Sequence, residues 1–195
     1  MKIKYLGLLL AASALALGGC AATGGAGGDP VELVLGTDSN DSDLFKMGNV
    51  LATAVALNTD ALAVYNYSTK GSKDNLKRIA KKRRAINLAA VTLKALEKFK
   101  KRKAVQGVVM LGSTRKNPDW VALVVRVKAP KGISKQAYEE AIYQLVKVIY
   151  SKKTRKMMKK SWKRWAPNRA TVIFKSVGVK LHPGALRAFA DLGIK

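Results

Sequence analysis

The chain has 195 residues, with 37 Lys or Arg, 12 Asp or Glu, one His and one Cys. The formal net charge of +25 at pH 7 indicates an anionic partner, although adaptation to an unusual medium or a Lys-rich proteome would also produce it. A single Cys excludes an internal disulfide, and without clustered His, Cys or carboxylate residues we expect no metal site and no cofactor.

The N-terminal segment has the pattern of a secretory signal peptide. Lys2 and Lys4 precede an uncharged, mostly apolar run over residues 6–17, which is too short to span a membrane as a helix. A buried N-terminal helix is the alternative, but the charged start and the pair Gly18-Gly19 fit cleavage better. We therefore expect residues 1–19 to be removed from the mature protein.

The end of this segment, Leu17-Gly18-Gly19-Cys20, resembles the lipobox of bacterial lipoproteins. The resemblance implies that Cys20 carries a diacylglycerol, and that acyl chains such as palmitate hold the protein to a membrane of the cell envelope. Ala21, rather than Asp, follows the Cys. In a Gram-negative host the family pattern would place such a lipoprotein on the periplasmic face of the outer membrane.

Residues 20–43 are predicted to form a lipidated, flexible and acidic tether, and residues 44–195 a single basic domain. The tether begins with a Gly-rich stretch and carries five acids and no base between Asp29 and Asp43. Within it, Val31 to Leu35 fits either a short strand or an extended linker. From residue 70 to residue 195, 34 bases stand against 6 acids, a net charge of +28.

The first half of the basic domain is predicted to be mainly helical. The stretch Asp41-Ser42-Asp43 offers a candidate N-cap for an apolar helix over residues 44–57, and residues 61–67 fit either a helix or a strand. A long helix is then predicted from about Lys73 to about Lys103. Its two ends carry the basic runs KRIAKKRR and KFKKRK, which are solvated faces or parts of a binding surface.

The second half begins with a hairpin of strands over residues 105–113 and 120–129. A second long helix is predicted from Ser134 to Trp165, followed by a strand over residues 170–179 and a short helix from His182. The expected class is α+β, with two long helices on one face of a small three- to four-stranded sheet, in the order helix-strand-strand-helix-strand-helix. This order resembles the ring-building modules of envelope secretion systems, one of which, in type III secretion, is a lipoprotein.

The segment 151–165, SKKTRKMMKKSWKRW, is the strongest candidate for a binding site, with eight bases among fifteen residues and no acid. Its Trp and Met residues either pack in the core, lie at an anionic membrane surface, or help to grip a polyanion or an acidic protein. The candidate residues for binding an anionic partner are Lys152, Lys153, Lys156, Lys159, Lys160, Trp162, Lys163, Arg164 and Trp165.

We expect no enzymatic activity and no catalytic residue. His182 precedes Pro183-Gly184, as at a helix start, and Glu139-Glu140 are predicted to pair with nearby bases. The expected function is a membrane-anchored lipoprotein that binds anionic lipid head groups, lipopolysaccharide, a cell-wall polymer or an acidic envelope protein. The alternative is a structural, homo-oligomeric subunit of a secretion, pilus or motor ring. Export would remove the chain from intracellular nucleic acid.

Overall fold

A computed structural model describes residues 29–81, 86–113 and 119–194. The signal segment and Cys20 lie outside these ranges. The strands are β1 Val31–Gly36, β2 Leu62–Tyr67, β3 Leu88–Thr92, β4 Val105–Ser113, β5 Trp120–Arg126 and β6 Trp165–Asn168. The helices are α1 Asp43–Ala56, α2 Ser72–Ile79, α3 Leu93–Glu97, α4 Lys135–Tyr150, α5 Lys152–Ser161, α6 Thr171–Ser176 and α7 Pro183–Asp191. A 3-10 turn, Arg102–Ala104, precedes β4.

The strands form one mixed sheet in the order β2-β1-β3-β5-β4-β6. β1 pairs in parallel with β2 and β3, whereas the β3-β5, β5-β4 and β4-β6 pairs are antiparallel. Residues Val121 to Val125 of β5 are fully buried, and so are Leu88 to Val91 of β3. Because both pleat faces of these central strands are covered, helices must lie on both sides of the sheet.

The first two crossovers explain how the helices are shared between the faces. The β1-α1-β2 and β2-α2-β3 connections step in opposite directions along the sheet. Since such crossovers are right-handed, α1 and α2 lie on opposite faces. α1 packs with α4 and α5, α7 packs on α4, and α2 packs on β3 and α3. The basic segment around α5 is therefore separated by the sheet from the basic segments around α2 and α3.

The predicted fold is wrong in the size of the sheet and in the two long helices. The chain is α+β, but its described residues form six strands and seven helices. The predicted helix over residues 73–103 is replaced by α2, β3 and α3. Its middle, Leu88 to Thr92, is apolar because it is a central strand, and a short apolar run of this kind has no period that separates a buried strand from a buried helix.

The second predicted long helix is interrupted at Ser151, where the backbone is extended with φ −62° and ψ 146°. The Ser151 hydroxyl oxygen accepts the N–H of Thr154 at 3.1 Å and so caps a new helix, α5. The predicted strand over residues 170–179 is also wrong, because this segment contains α6. Phe174 of α6 is fully buried and packs over Gly107, where a Cβ atom would lie 2.6 Å from its ring. The predicted order of elements, on which the resemblance to ring-building modules depended, does not occur.

Other predicted elements are confirmed. β4 and β5 form the antiparallel hairpin. Ser42 and Ser134 cap α1 and α4, and His182 is the N-cap of α7. Of the two alternatives for Val31 to Leu35, the structure has the strand, and the side chains of Leu33 and Leu35 are fully buried. The acidic stretch before α1 thus supplies a strand in the interior of the sheet.

Candidate functional site: two basic surfaces

The first basic surface is formed by α5 and the residues that follow it. Thr154 and Met158, four residues apart, are fully buried and hold α5 on the domain, where α5 packs on α1 and α4. All basic side chains predicted to bind an anion are exposed. We call this set the α5 face: Lys152, Lys153, Lys156, Lys159, Lys160, Lys163 and Arg164.

The two tryptophans of the same segment belong to the core. Trp162 and Trp165 are 6% and 3% exposed, and their ring centroids lie 6.0 Å apart at an interplanar angle of 59°. The indole N–H of Trp162 donates to the carbonyl oxygen of Ser113 at 3.0 Å. A ring buried in this way offers no face to a membrane or to a stacking partner. The structure therefore separates the nine candidate residues into seven exposed bases and two buried aromatic residues.

Carboxylates do not neutralise the lysines of the α5 face locally. Ion pairs in the described ranges include Arg78 with Asp74, Lys135 with Glu139, and Arg187 with Glu140. Both glutamates pair with bases: Glu139 with Lys135 at 3.7 Å, and Glu140 with Arg187. No lysine of α5 takes part in these pairs, so the ammonium groups face solvent with their charge uncompensated.

The second basic surface is a groove of about 400 Å³ between α2, α3 and the residues that follow them. We call it the α2–α3 groove. Four apolar residues line it, of which Leu76 is buried and the other three are half-buried: Leu76, Ala80, Ala95 and Phe99. Six exposed lysines complete the lining: Lys73, Lys77, Lys81, Lys98, Lys100 and Lys101.

The carboxylates of α2 and α3 do not line this groove. Burial raises the pKa of Asp74, but hydrogen bonds from the Arg78 side chain and the Lys70 backbone N–H outweigh it and lower the pKa overall. Asp74 is therefore ionised at neutral pH and bonded to Arg78 at 2.7 Å. The other carboxylate, Glu97, is exposed at the end of α3. The described residues of the lining are cationic or apolar.

A third location, where nucleotides often bind in sheets with this strand order, is filled by a side chain. The crevice lies between the carboxyl ends of β1 and β3, from which the chain leaves in opposite directions along the sheet, toward β2 and toward β4. Asn75 of α2 is fully buried there, and its Nδ2 donates to the carbonyl oxygens of Gly36, Thr37 and Ala90 at 3.1, 2.6 and 3.1 Å. A Cβ atom on Gly36 would lie 2.7 Å from Asn75 Oδ1. Asn75 thus fixes α2 to the sheet beneath the α2–α3 groove.

His182 is 2% exposed, and its Nδ1 accepts the N–H of Gly184 at 3.2 Å as the cap of α7. Its ring lies edge-on to Tyr138, with centroids 5.4 Å apart. Burial lowers the pKa of His182 to about 4, although the charge of Glu139 opposes this shift. The imidazole is consequently neutral at pH 7 and serves the packing of α7 on α4.

Sequence reasoning found the bases of the α5 face but missed the α2–α3 groove. The recurrence of Lys73, Leu76, Lys77 and Ala80 at helical spacing was the available signal for one wall. The sequence does not indicate that this wall faces Phe99, because the pattern predicts one continuous helix that contains both stretches. Asn75 gave no signal, since a single Asn among lysines is an ordinary surface pattern.

No protein-family model matches this chain, and no curated protein matches it. None of the helices in the described ranges is long and apolar enough to cross a membrane. Residues 29–81, 86–113 and 119–194 contain no group of three or more His, Cys, Asp or Glu that could hold a metal ion.

Proposed function

We propose that this protein is a lipid-anchored, non-enzymatic component of the bacterial envelope, and that its basic domain binds an anionic envelope component by charge. The candidate components are lipid head groups, lipopolysaccharide and a cell-wall polymer. The observation that carries the proposal is the α5 face, whose lysines are exposed and make no ion pair among the described residues. Repulsion among these like charges lowers the stability of the folded domain, and an anionic partner would relieve it.

The proposed anchor is the lipid on Cys20, after removal of residues 1–19. In a Gram-negative host the protein would lie on the periplasmic face of the outer membrane. Replacing Cys20 with Ser is expected to abolish incorporation of labelled palmitate and to move the protein out of the membrane fraction. Unchanged incorporation in that variant would contradict the assignment of Cys20.

The binding energy would come from many weak contacts. Each Lys or Arg close to an anionic bilayer contributes about 1 kcal/mol, and this contribution falls off within a Debye length. Since the anchor keeps the domain near the surface, the effective concentration of its partner is high and modest affinity is sufficient. The buried Trp162 and Trp165 are not part of this proposed contact.

The test is a pull-down of the chain from Ala21 to Lys195, which contains every described residue and lacks the lipid. The baits are vesicles with phosphatidylglycerol, neutral phosphatidylcholine vesicles, lipopolysaccharide, peptidoglycan and DNA, each at low and high salt. The proposal predicts capture by at least one anionic envelope bait at low salt and release at high salt. Equal binding to neutral vesicles, or no capture by any envelope bait, would contradict it.

A further inference from the structure

The α2–α3 groove differs from an ordinary lysine-rich surface in its floor. Ala80, the C-cap of α2, and Ala95 of α3 leave a depression between the two helices, and the half-buried ring of Phe99 lines it beside them. The volume of about 400 Å³ falls within the range of roughly 300–1,000 Å³ that is usual for small-molecule pockets. This apolar floor is partly accessible to solvent.

The lysines of the rim come from α2 and from the residues that follow α2 and α3, whereas α3 itself contributes Ala95. Lys73 and Lys77 come from α2, Lys81 follows α2, and Lys98 to Lys101 follow α3. A ligand that satisfied both parts of the lining would have a hydrocarbon body and an anionic end. A polar polymer would match the rim alone and would leave the apolar floor in contact with water.

We propose that the α2–α3 groove binds an acyl chain of an anionic phospholipid, with the lipid phosphate held by the lysines of the rim. The inference rests on the proposed function and narrows its partner to a lipid. Each methylene moved from water onto the floor contributes up to about 0.8 kcal/mol, so a partial chain is enough for measurable affinity. The α5 face has no comparable floor, because Met158, Trp162 and Trp165 are buried and the half-buried Met157 packs against the core.

The test uses the chain from Ala21 to Lys195 and a dansyl-labelled long-chain fatty acid below its micelle concentration. We expect a blue-shifted, saturable increase in dansyl emission that phosphatidylglycerol reverses by competition. Ala95→Trp fills the groove and is expected to weaken probe binding at least about tenfold. Its matched control is Ala190→Trp, at an exposed position of α7, which should leave the affinity unchanged.

A rim variant tests the same site without altering its shape. Replacing Lys73, Lys77 and Lys98 with Gln is expected to weaken probe binding and to reduce its salt dependence. The control removes the same charge elsewhere, by replacing the exposed Lys128, Lys131 and Lys175 with Gln. Unchanged affinity in both Ala95→Trp and the rim variant would overturn the inference, and so would the absence of probe binding to the natural chain.

Sedimentation with phosphatidylglycerol vesicles separates this inference from the proposed function. Retained vesicle binding by a natural chain that takes up no probe would overturn the groove assignment alone. Loss of both vesicle binding and probe uptake would overturn the two together. If both proposals hold, Ala95→Trp still sediments with the vesicles through the α5 face, while its affinity for the probe is weakened.

Discussion

The α5 face and the α2–α3 groove carry the same kind of charge on opposite sides of the sheet, but their apolar residues are placed differently. In α5, Thr154 and Met158 point into the domain, Met157 is half-buried against the core, and the exposed side chains are those of lysines, Arg155 and Ser161. In the groove, Phe99 and the two alanines remain partly accessible among the lysines. The first surface offers charge alone, and the second offers charge around an apolar depression.

This difference shows that a count of aromatic and basic residues does not identify a membrane-binding segment. The segment 151–165 has two Trp and two Met among eight bases, yet both rings are used to close the core beside Ser113. The less conspicuous segments around α2 and α3 expose the apolar surface instead.

The contrast is tested most strongly at the tryptophans. Trp162→Ala should lower the free energy of unfolding by about 3–5 kcal/mol, because it removes a buried ring and opens a cavity. Trp120→Ala is the matched control, since Trp120 is 37% exposed, and it should cost about 1 kcal/mol or less. Urea unfolding of the two variants provides the measurement. Equal stability losses would show that the ring of Trp162 is not held in the core.

The side of the sheet that carries α4 and α5 also contains a pH-dependent contribution, from His182. Because burial lowers its pKa from 6.5 to about 4, the unfolded chain binds more protons than the folded chain between these values. The stabilisation is complete above pH 6.5 and is lost as the pH falls to about 4, at a cost approaching about 3 kcal/mol.

His182→Asn isolates this effect, since Asn can cap α7 without titrating in this range. Urea unfolding at pH 7 and near pH 4 should show a smaller loss of stability in the variant than in the natural chain. The carboxylates contribute to both proteins and cancel in the difference. The same loss in both proteins would show that His182 is not held neutral.

The groove side depends on Asn75, which joins α2 to β1 and β3. Asn75→Ala should lower the free energy of unfolding by about 2 kcal/mol, because buried carbonyl oxygens lose their donor. Asn168→Ala is the control, since its side chain makes only a long bond of 3.4 Å to Ala166, and it should change stability by less than about 0.5 kcal/mol. Thermal and urea unfolding measure both. If Asn75→Ala is as stable as the control, Asn75 does not hold α2 to the sheet.

The sequence predicts helix caps and the hairpin turn in this molecule more reliably than it predicts the helices and strands that lie between them. The caps Ser42, Ser134 and His182 were predicted because a cap depends on a few neighbouring residues. The hairpin was predicted because the turn joins two β-rich runs. β3 was missed because a central strand buried on both faces lacks the alternation that identifies a strand.

The same limit applies to the site. The exposure of the α5 bases is expected from their number, but the buried ring of Trp162 lies against Ser113, 49 residues away in the chain, to which its indole N–H donates. The groove forms because α2 packs next to α3, although the strand β3 separates the two helices in the chain. Both are long-range arrangements that no window of local sequence contains.

The most direct test of the central claim compares two variants of equal charge in sedimentation with phosphatidylglycerol vesicles. One replaces Lys152, Lys153, Lys156, Lys159 and Lys160 of α5 with Gln. The other replaces five exposed lysines outside both surfaces: Lys46, Lys128, Lys131, Lys175 and Lys180. At about 1 kcal/mol for each lysine near the bilayer, the α5 variant should lose roughly a hundredfold or more in affinity, and the scattered variant far less. Equal losses would mean that net charge alone binds the vesicle, and would contradict the assignment of the α5 face as the contact surface.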